Sequence, residues 1–310
     1  MRARVIDILY RISTIQPELV NRALGLIYPL HPRRIRDIPG LWSMMIRHYL
    51  GGRTPSAQFP PVDRAMNRPD GLIAIGGPLT TERLMAAYRN GIYPWCHISP
   101  MKWWAPSERM VLFPEDAHIS KSLRKTLRNG PFRVTFDSAF GQVIRACALP
   151  RPGKLPLTWI TPQIIEQYTR LHSEGYAHSV EVWNENGTLV GGEYGVAIGG
   201  VFFAESAFSF QREASKVAFV TLVSHLHNWD FKLYDYKRYS VHSASQGGRL
   251  IKRAEFMDHL SRLRDQSHPP SPWVVDDALD VASWKPASAI AKDKGHARVE
   301  ASIHLSLPSR

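Results

Sequence analysis

Residues 179–205 read S-V-E-V-W-N-E-N-G-T-L-V-G-G-E-Y-G-V-A-I-G-G-V-F-F-A-E. Three runs rich in β-branched and aromatic residues stand out: Ser179 to Trp183, Leu189 to Ile198, and Gly200 to Glu205. The turn-forming Asn184-Glu185-Asn186-Gly187 joins the first two, which predicts consecutive strands. Working outward, helical spacing is expected over Pro162 to Ser173, ending at Gly175, and over Ala214 to Asn228. Lys232 to Tyr239 and Phe132 to Phe136 read as further strands, and Ser138 to Cys147 as a helix. This order predicts a mixed α+β domain over residues 109–266.

Residues 59–108 form a small N-terminal α/β unit. The turn Pro69-Asp70-Gly71 precedes a strand at Leu72 to Ile75, and Gly76-Gly77-Pro78 turns again. Thr80 is placed as the N-cap of a helix that stops at Asn90-Gly91. Residues 1–58 are a basic helical extension, with Val5, Ile8, Leu9 and Ile12 at helical spacing and Val20, Leu24 and Ile27 repeating it. A helical pair packed on the main body is the plainer expectation for it; peripheral contact with a membrane or with tRNA is the sharper one. Residues 267–310, opening with Pro269-Pro270-Ser271-Pro272, are expected to be a mostly irregular, mobile tail.

The formal net charge is +12 with a pI near 9.8, which favours an anionic partner. Residues 1–58 hold nine arginines against Asp7, Glu18 and Asp37. Cys96 and Cys147 stand far apart in no ligand spacing, so reduced thiols are expected. Charges at Asp7, Arg11, Glu18 and Arg22 break any signal-peptide layout, and a cytoplasmic monomer is the expectation. Neither G-x-x-x-x-G-K-[ST] nor G-x-G-x-x-G occurs, so no nucleotide cradle is supported. G-x-S-x-G, H-E-x-x-H and C-x-x-C are also absent, and no metal site is expected.

Several short words recur in fixed order: D-G-L-I-A-I-G-G (Asp70 to Gly77), G-I-Y-P-W (Gly91 to Trp95), W-W-A-P (Trp103 to Pro106) and T-W-I-T (Thr158 to Thr161). They continue with L-V-G-G-E-Y-G-V (Leu189 to Val196), A-E-S-A-F-S (Ala204 to Ser209) and A-S-K-V-A (Ala214 to Ala218). From about Phe59 to Leu263 the chain resembles the leucyl/phenylalanyl-tRNA–protein transferases, as a divergent member. The resemblance implies a GNAT-like (acetyltransferase-like) transferase domain. It also implies an activity: moving Leu, Phe or a related residue from charged tRNA to the N-terminal amine of an acceptor protein or peptide, the modification that creates an N-degron. The acyl-CoA signature Q/R-x-x-G-x-G/A is missing, and this chemistry requires no cofactor. A different donor or acceptor, or a non-catalytic tRNA-binding homologue, are the alternatives.

An aminoacyl ester is already activated, so the site needs alignment, a proton route and oxyanion stabilisation. The resemblance places Tyr88, Trp95 and Trp159 at donor-binding positions, where the Trp faces suit adenine stacking. Glu205, at the end of an apolar strand, matches the Glu of the family word G-E-S-M-F, in which Ala207 stands for Met. Phe202 and Phe208 are expected to wall the donor pocket. The family strand D-x-Q-x-x-N-D-H reads Asp235-Tyr236-Lys237-Arg238-Tyr239-Ser240-Val241-His242, with Lys237 for the Gln assigned a catalytic part and Ser240 for the Asn. Glu205, Asp235 and Lys237 are the expected catalytic residues, and strand alternation puts Asp235 and Lys237 on one face, where the plainer expectation is an ion pair. Lys237 facing the site would serve as base or oxyanion donor. A cation there costs about 1–4 kcal/mol at ~4 Å from another, and so would disfavour acceptors beginning with Arg or Lys.

Overall fold

The computed structural model describes residues 35–50, 58–96, 100–150 and 158–286. The helical spacing around Val5 to Ile12 and Val20 to Ile27 lies outside them. Within the extension, helix α1 (Ile38–Leu50) is described and leaves Trp42, Tyr49 and Leu50 exposed.

Two sheets follow, and the fold is mixed α+β. The small sheet has the order β1-β3-β2, formed by β1 (Leu72–Ile75), β2 (Tyr93–Pro94) and β3 (Lys102–Trp104), all antiparallel. Helix α2 (Thr81–Arg89) joins β1 to β2. The Thr80 hydroxyl accepts the Arg83 N–H at its start, and Gly91 takes a left-handed φ of 69° after its end. Both features follow from the sequence: a β-conformation Thr satisfies an orphan donor, and Gly enters the left-handed region without a Cβ penalty.

The large sheet runs β10-β4-β9-β8-β7-β6-β5. Its strands are β4 (Glu108–Leu112), β5 (Arg133–Phe136), β6 (Ala177–Trp183), β7 (Leu189–Ile198), β8 (Val201–Ser209), β9 (Leu233–Lys237) and β10 (Arg249–Lys252). Neighbours are antiparallel except β8 and β9, which are parallel over Val201–Phe203 against Leu233–Asp235. A parallel pair needs a crossover, here supplied by α6 (Ala214–Asn228). The other helices are α3 (Lys121–Asn129), α4 (Phe140–Ala148), α5 (Pro162–Ser173), α7 (Val241–Ser245) and α8 (Arg253–Leu263). The expected bounds of α5, β7 and α6 agree with the observed ones. The expected strand Gly200 to Glu205 continues to Ser209, and the expected strand Lys232 to Tyr239 stops at Lys237, which takes a left-handed φ of 69°.

Each face of the large sheet carries a core. One contains Tyr88, Trp103, Phe140, Tyr168, Tyr194, Phe203 and Phe208, beneath α2, α4 and α5. The other contains Phe202, Phe219, Val223, Leu226, Tyr234 and Trp273, beneath α6. Gly195 explains the placement of Phe202: a Cβ there would stand 2.4 Å from the Phe202 ring. The described part of the tail, residues 267–286, has no helix or strand. It is nonetheless docked, because the Trp273 ring is buried and stacks on His178 with centroids 3.7 Å apart. The Trp273 N–H also donates to Asp137 Oδ2 at 2.7 Å. Residues 267–286 are thus irregular, as expected, but anchored on the sheet; residues 287–310 of the expected tail lie outside the described residues.

Candidate active site

Strands β8 and β9 part after Phe203 and Asp235, the last residues that pair. Immediately beyond stand Glu205 on β8 and Lys237 on β9. On its other side β8 pairs with β7, where Tyr194 opposes Ser206 and Gly195 opposes Ala204. Glu205 is therefore the extra residue of a bulge, a device that re-aims a side chain. It swings toward Tyr88, while the left-handed turn at Lys237 brings the ammonium across the split. The Lys237 Nζ pairs with Glu205 Oε1 and donates to the Ala204 carbonyl at 2.8 Å. The two strands that separate in the backbone are thus rejoined by side chains.

The Glu205 side chain is fully buried and that of Lys237 is 10% exposed. The Tyr88 hydroxyl donates to Glu205 Oε1 at 2.5 Å. The Tyr168 hydroxyl shares a hydrogen bond with the Tyr88 hydroxyl, in which either oxygen can be the donor, and it also interacts with the Glu205 carboxyl. Burial pushes the Tyr88 phenol well above its ordinary range, with the Glu205 charge adding to the shift, so it remains a neutral donor. Burial pushes the Glu205 carboxyl up, against the pull of Lys237. It likewise pushes Lys237 down, against the pull of Glu205. The two shifts bring an acid and a base closer in proton affinity than they are in water. Glu205 Oε2 is buried and, among the described residues, has no hydrogen-bond partner at ordinary distance, with the Tyr168 hydroxyl as the further donor near the carboxyl. A carboxylate oxygen left this way is costly unless something brings it a donor.

Asp235 and Lys237 do face the same core, but the ion pair expected between them is not formed. Arg109 takes both Asp235 oxygens, Nε to Oδ1 at 2.9 Å and Nη2 to Oδ2 at 2.7 Å, with both side chains buried. Asp235 Oδ1 also accepts the backbone N–H of Lys237 at 2.8 Å, which helps fix the left-handed residue. Arg109 donates further to the Gly91 carbonyl at 2.9 Å, tying the small sheet's loop to the large sheet. Asp235 is thus a structural brace behind the Glu205–Lys237 pair. Lys237 is neutralised by Glu205, so the repulsion of basic acceptors expected from it loses its physical basis.

A cavity of about 530 Å³ opens at the split, lined from both cores by Glu193, Glu205, Ala207, Phe208, Phe219 and Tyr234, among others. Of the sequence-derived candidates, Glu205, Ala207 and Phe208 lie on it. Tyr88 and Lys237 reach it through Glu205. Phe202 does not wall it: the ring points into the α6 core and stacks on Tyr234 at 5.5 Å. Ser240 is not in it either. It caps α7, exchanging bonds with Ser243 in a capping box, and is exposed. Trp159 packs edge-on against Tyr168 at 6.3 Å, one ring from the Tyr88–Glu205 contact. Trp95 lies against Trp104 at 6.1 Å on the small sheet. Arg238 covers Trp104 and donates to the Tyr93 hydroxyl at 3.0 Å, and Lys237 stands over the Tyr93 ring. Both Trp residues are half-buried. Arg109, Tyr168 and Glu193 are further members that sequence reasoning passed over; a charge inside the apolar run Arg109 to Leu112 was the available signal for the first.

Residues 111–261 match the family model described as leucyl/phenylalanyl-tRNA protein transferase, and residues 77–107 match the model of its N-terminal domain. The leucyl/phenylalanyl-tRNA–protein transferase of Azotobacter vinelandii is 52% identical over 211 residues, 68% of this chain and 92% of that one. The chain belongs to this family. The transferase of Thiobacillus denitrificans is 49% identical over 72% of this chain and 97% of its own length. Identities near 50% do not mark a divergent member, so the departures at Ala207, Lys237 and Ser240 sit in an ordinary relative. Among solved structures, FemX aligns with a TM-score of 0.40 and 9% identity, over 48% of this chain and 60% of that one. As a leucyl/phenylalanyl-tRNA–protein transferase family member, the protein is an aminoacyltransferase that draws on charged tRNA, and the reading as a non-catalytic homologue falls away. Among the described residues, no helix is long and apolar enough to cross a membrane.

In this transferase family member, Glu193 is a second buried carboxyl at the cavity, raised to about 7 by burial against the opposing bond from Tyr234. A carboxyl whose folded pKa exceeds its unfolded value stabilises the fold below the unfolded pKa and loses that contribution as pH rises. The window here is pH 4.5 to about 7. Glu193→Gln, which cannot ionise, should therefore gain stability relative to the parent across that window, by roughly 2–4 kcal/mol at its upper end. Denaturation midpoints of the two proteins at pH 5 and pH 8 measure the difference; an equal gap at both values would contradict the shift.

Proposed function

We propose that the cleft between β8 and β9 receives the aminoacyl end of charged tRNA, and that Glu205 holds the reacting amine there. The observation that carries this reading is Glu205 itself, which lines the cavity and whose buried Oε2 has no hydrogen-bond partner among the described residues. The acceptor's α-amine attacks the ester carbonyl, a C–N bond forms, and the bond to the tRNA ribose oxygen breaks. The attacking nitrogen loses a proton and the leaving oxygen gains one. Glu205 Oε2 accepts the N–H of the amine, and the Glu205–Lys237 pair, with proton affinities drawn together by burial, carries that proton onward. Tyr88 and Tyr168 hold the carboxylate in place. Lys237 works through Glu205, which makes it a positioning residue.

The seven-stranded sheet, with one parallel pair that splays and a helix crossing between its strands, supports the GNAT-like reading of the transferase domain. The small β1-β3-β2 unit is read as its N-terminal partner. Trp159, packed on Tyr168, and Trp95, packed on Trp104, are read as platforms for the terminal adenosine. Residues from β8, β9, α2 and α5 of a single chain make up the site, which suits a monomer. Use of charged tRNA supports a cytoplasmic location. The arginine-rich segment at residues 1–58 is proposed to touch tRNA or a membrane surface.

The assay that tests this function supplies purified protein with a mixture of charged tRNAs and peptides and identifies the product by mass. A peptide lengthened by one residue at its N-terminus is expected; no mass gain with any donor would refute it. In the same assay Trp159→Ala should lower transfer roughly 10- to 100-fold at limiting tRNA, because stacking on an aromatic face is worth ~1–3 kcal/mol per base. Saturating tRNA should restore most of the rate. A rate equal to the parent's at limiting tRNA would remove Trp159 from the donor site.

A further inference from the structure

The cavity beside Glu205 has a polar end. Phe208, Phe219 and Leu149 contribute apolar walls, but Glu193 and Tyr234 also line it. Glu193 is buried at 5% exposure, and its Oε1 accepts the Tyr234 hydroxyl. Among the described residues, no cation lies within ion-pair distance of it. Ionised, the carboxyl has about four acceptor sites, and protonated it carries a donor as well; in either form the described residues supply it one hydrogen bond, from Tyr234. Space is available in front of it, because Glu193 on β7 pairs directly with Ala207 on β8, and that side chain is a single methyl.

A wholly apolar side chain pushed into this space would cover the remaining acceptor capacity of Glu193 with CH groups. That leaves a buried polar group unpaired, which is disfavoured. A side chain of similar girth ending in a hydroxyl or ammonium would bring the missing donor instead. Sites built around buried polar groups discriminate strongly against analogues that lack the matching group.

We propose that Glu193 is a specificity-determining residue that tunes the donor pocket toward aminoacyl groups whose side chain ends in a hydrogen-bond donor. This rests on the reading that the cavity receives the donor side chain. Ala207 supplies the room, Glu193 the acceptor, and Tyr234 fixes the carboxylate's orientation. The substrate class is a charged tRNA carrying a hydroxyl- or amino-tipped residue, used alongside leucyl and phenylalanyl donors.

The test uses full-length protein, one peptide acceptor, and equal concentrations of tRNA charged with Phe, Leu, Tyr or Lys, with products quantified by mass. Glu193→Leu should lower the Tyr/Phe or Lys/Phe product ratio at least ~10-fold relative to the parent. The Tyr arm reports a hydroxyl reader and the Lys arm an ammonium reader. Glu193→Gln, which keeps shape and a carbonyl acceptor, should retain part of the Tyr preference and lose any Lys preference. Ala207→Trp, which fills the cavity, should suppress transfer from every donor. If the product ratios of parent, Glu193→Leu and Glu193→Gln coincide while Ala207→Trp is inactive, the role of Glu193 is wrong and the donor pocket stands. If Ala207→Trp transfers all four residues like the parent, the cavity is not the donor pocket and both readings fall.

Discussion

Glu205→Gln should reduce aminoacyl transfer at saturating charged tRNA by at least ~100-fold, with a smaller change in the concentration of tRNA needed for half-maximal rate. The amide preserves the shape of the carboxylate and its bond from Tyr88, so the backbone bulge and the Tyr88–Tyr168 contact have no reason to move. What disappears is the charge opposite Lys237 and the ability of the pair to take up a proton. General acid–base catalysis of this kind contributes typically about 10²–10⁴-fold, which sets the size of the expected loss. Both variants remove the charge opposite Lys237, but Glu205→Ala also opens a void and removes the acceptor of the Tyr88 and Lys237 bonds, so the glutamine variant, with its folding stability measured alongside, is the cleaner probe. Single-turnover rates with preloaded charged tRNA separate the chemical step from binding. A rate for the glutamine variant within about threefold of the parent's would move the reacting centre away from this carboxylate.

Asp235→Ala should cost about 3–5 kcal/mol of folding stability, the largest effect expected from a single substitution in this protein. Arg109 is 2% exposed and its guanidinium makes two bonds to the Asp235 carboxylate and one to the Gly91 carbonyl. Removing the carboxylate leaves a buried cation with no counter-charge, which is penalised far more than the intact pair is rewarded. The same substitution frees the Lys237 N–H, whose left-handed backbone depends on it. In a domain of this size the loss corresponds to a fall in Tm of roughly 10 °C. Thermal and urea denaturation of parent, Asp235→Asn and Asp235→Ala should rank in that order. A loss below about 1 kcal/mol for the alanine variant would mean that Arg109 finds water or another anion when the brace is removed.

Much of the large sheet was legible because its strands carry β-branched and aromatic runs between strong turn signals. Leu189 to Ile198 and the two flanking helices needed nothing more. The split between β8 and β9 was not legible, since it arises from one extra residue and one left-handed residue. Period-two counting puts Phe202 and Phe208 on one face of a regular strand. The bulge at Glu205 shifts that count, so Phe203 and Phe208 share one core while Phe202 enters the other. Likewise, spacing at i, i+2 correctly set Asp235 and Lys237 on one side of β9 but could not say which partner each would take. Arg109, the partner of Asp235, lies 126 residues away in sequence, and Glu205, the partner of Lys237, comes from a different strand. Long-range pairing of that kind leaves no local trace. Tyr168 sits on the buried side of a helix, where spacing alone cannot distinguish a core aromatic from one that holds a catalytic carboxylate.

In the proposed site the aminoacyl ester is held at the split beside Glu205, with its side chain in the adjoining cavity and its carbonyl open to an amine bound by Oε2. The most direct measurement is a crystal structure with a non-hydrolysable amide analogue of 3′-aminoacyl-adenosine. The aminoacyl side chain is expected in the cavity lined by Ala207 and Phe208, the amide carbonyl facing the Glu205 carboxyl with room between them for the attacking nitrogen, and the adenine against Trp159 or Trp95. An analogue seated elsewhere, with Glu205 still closed off by Tyr88 and Lys237 and the cavity filled only by water, would contradict it.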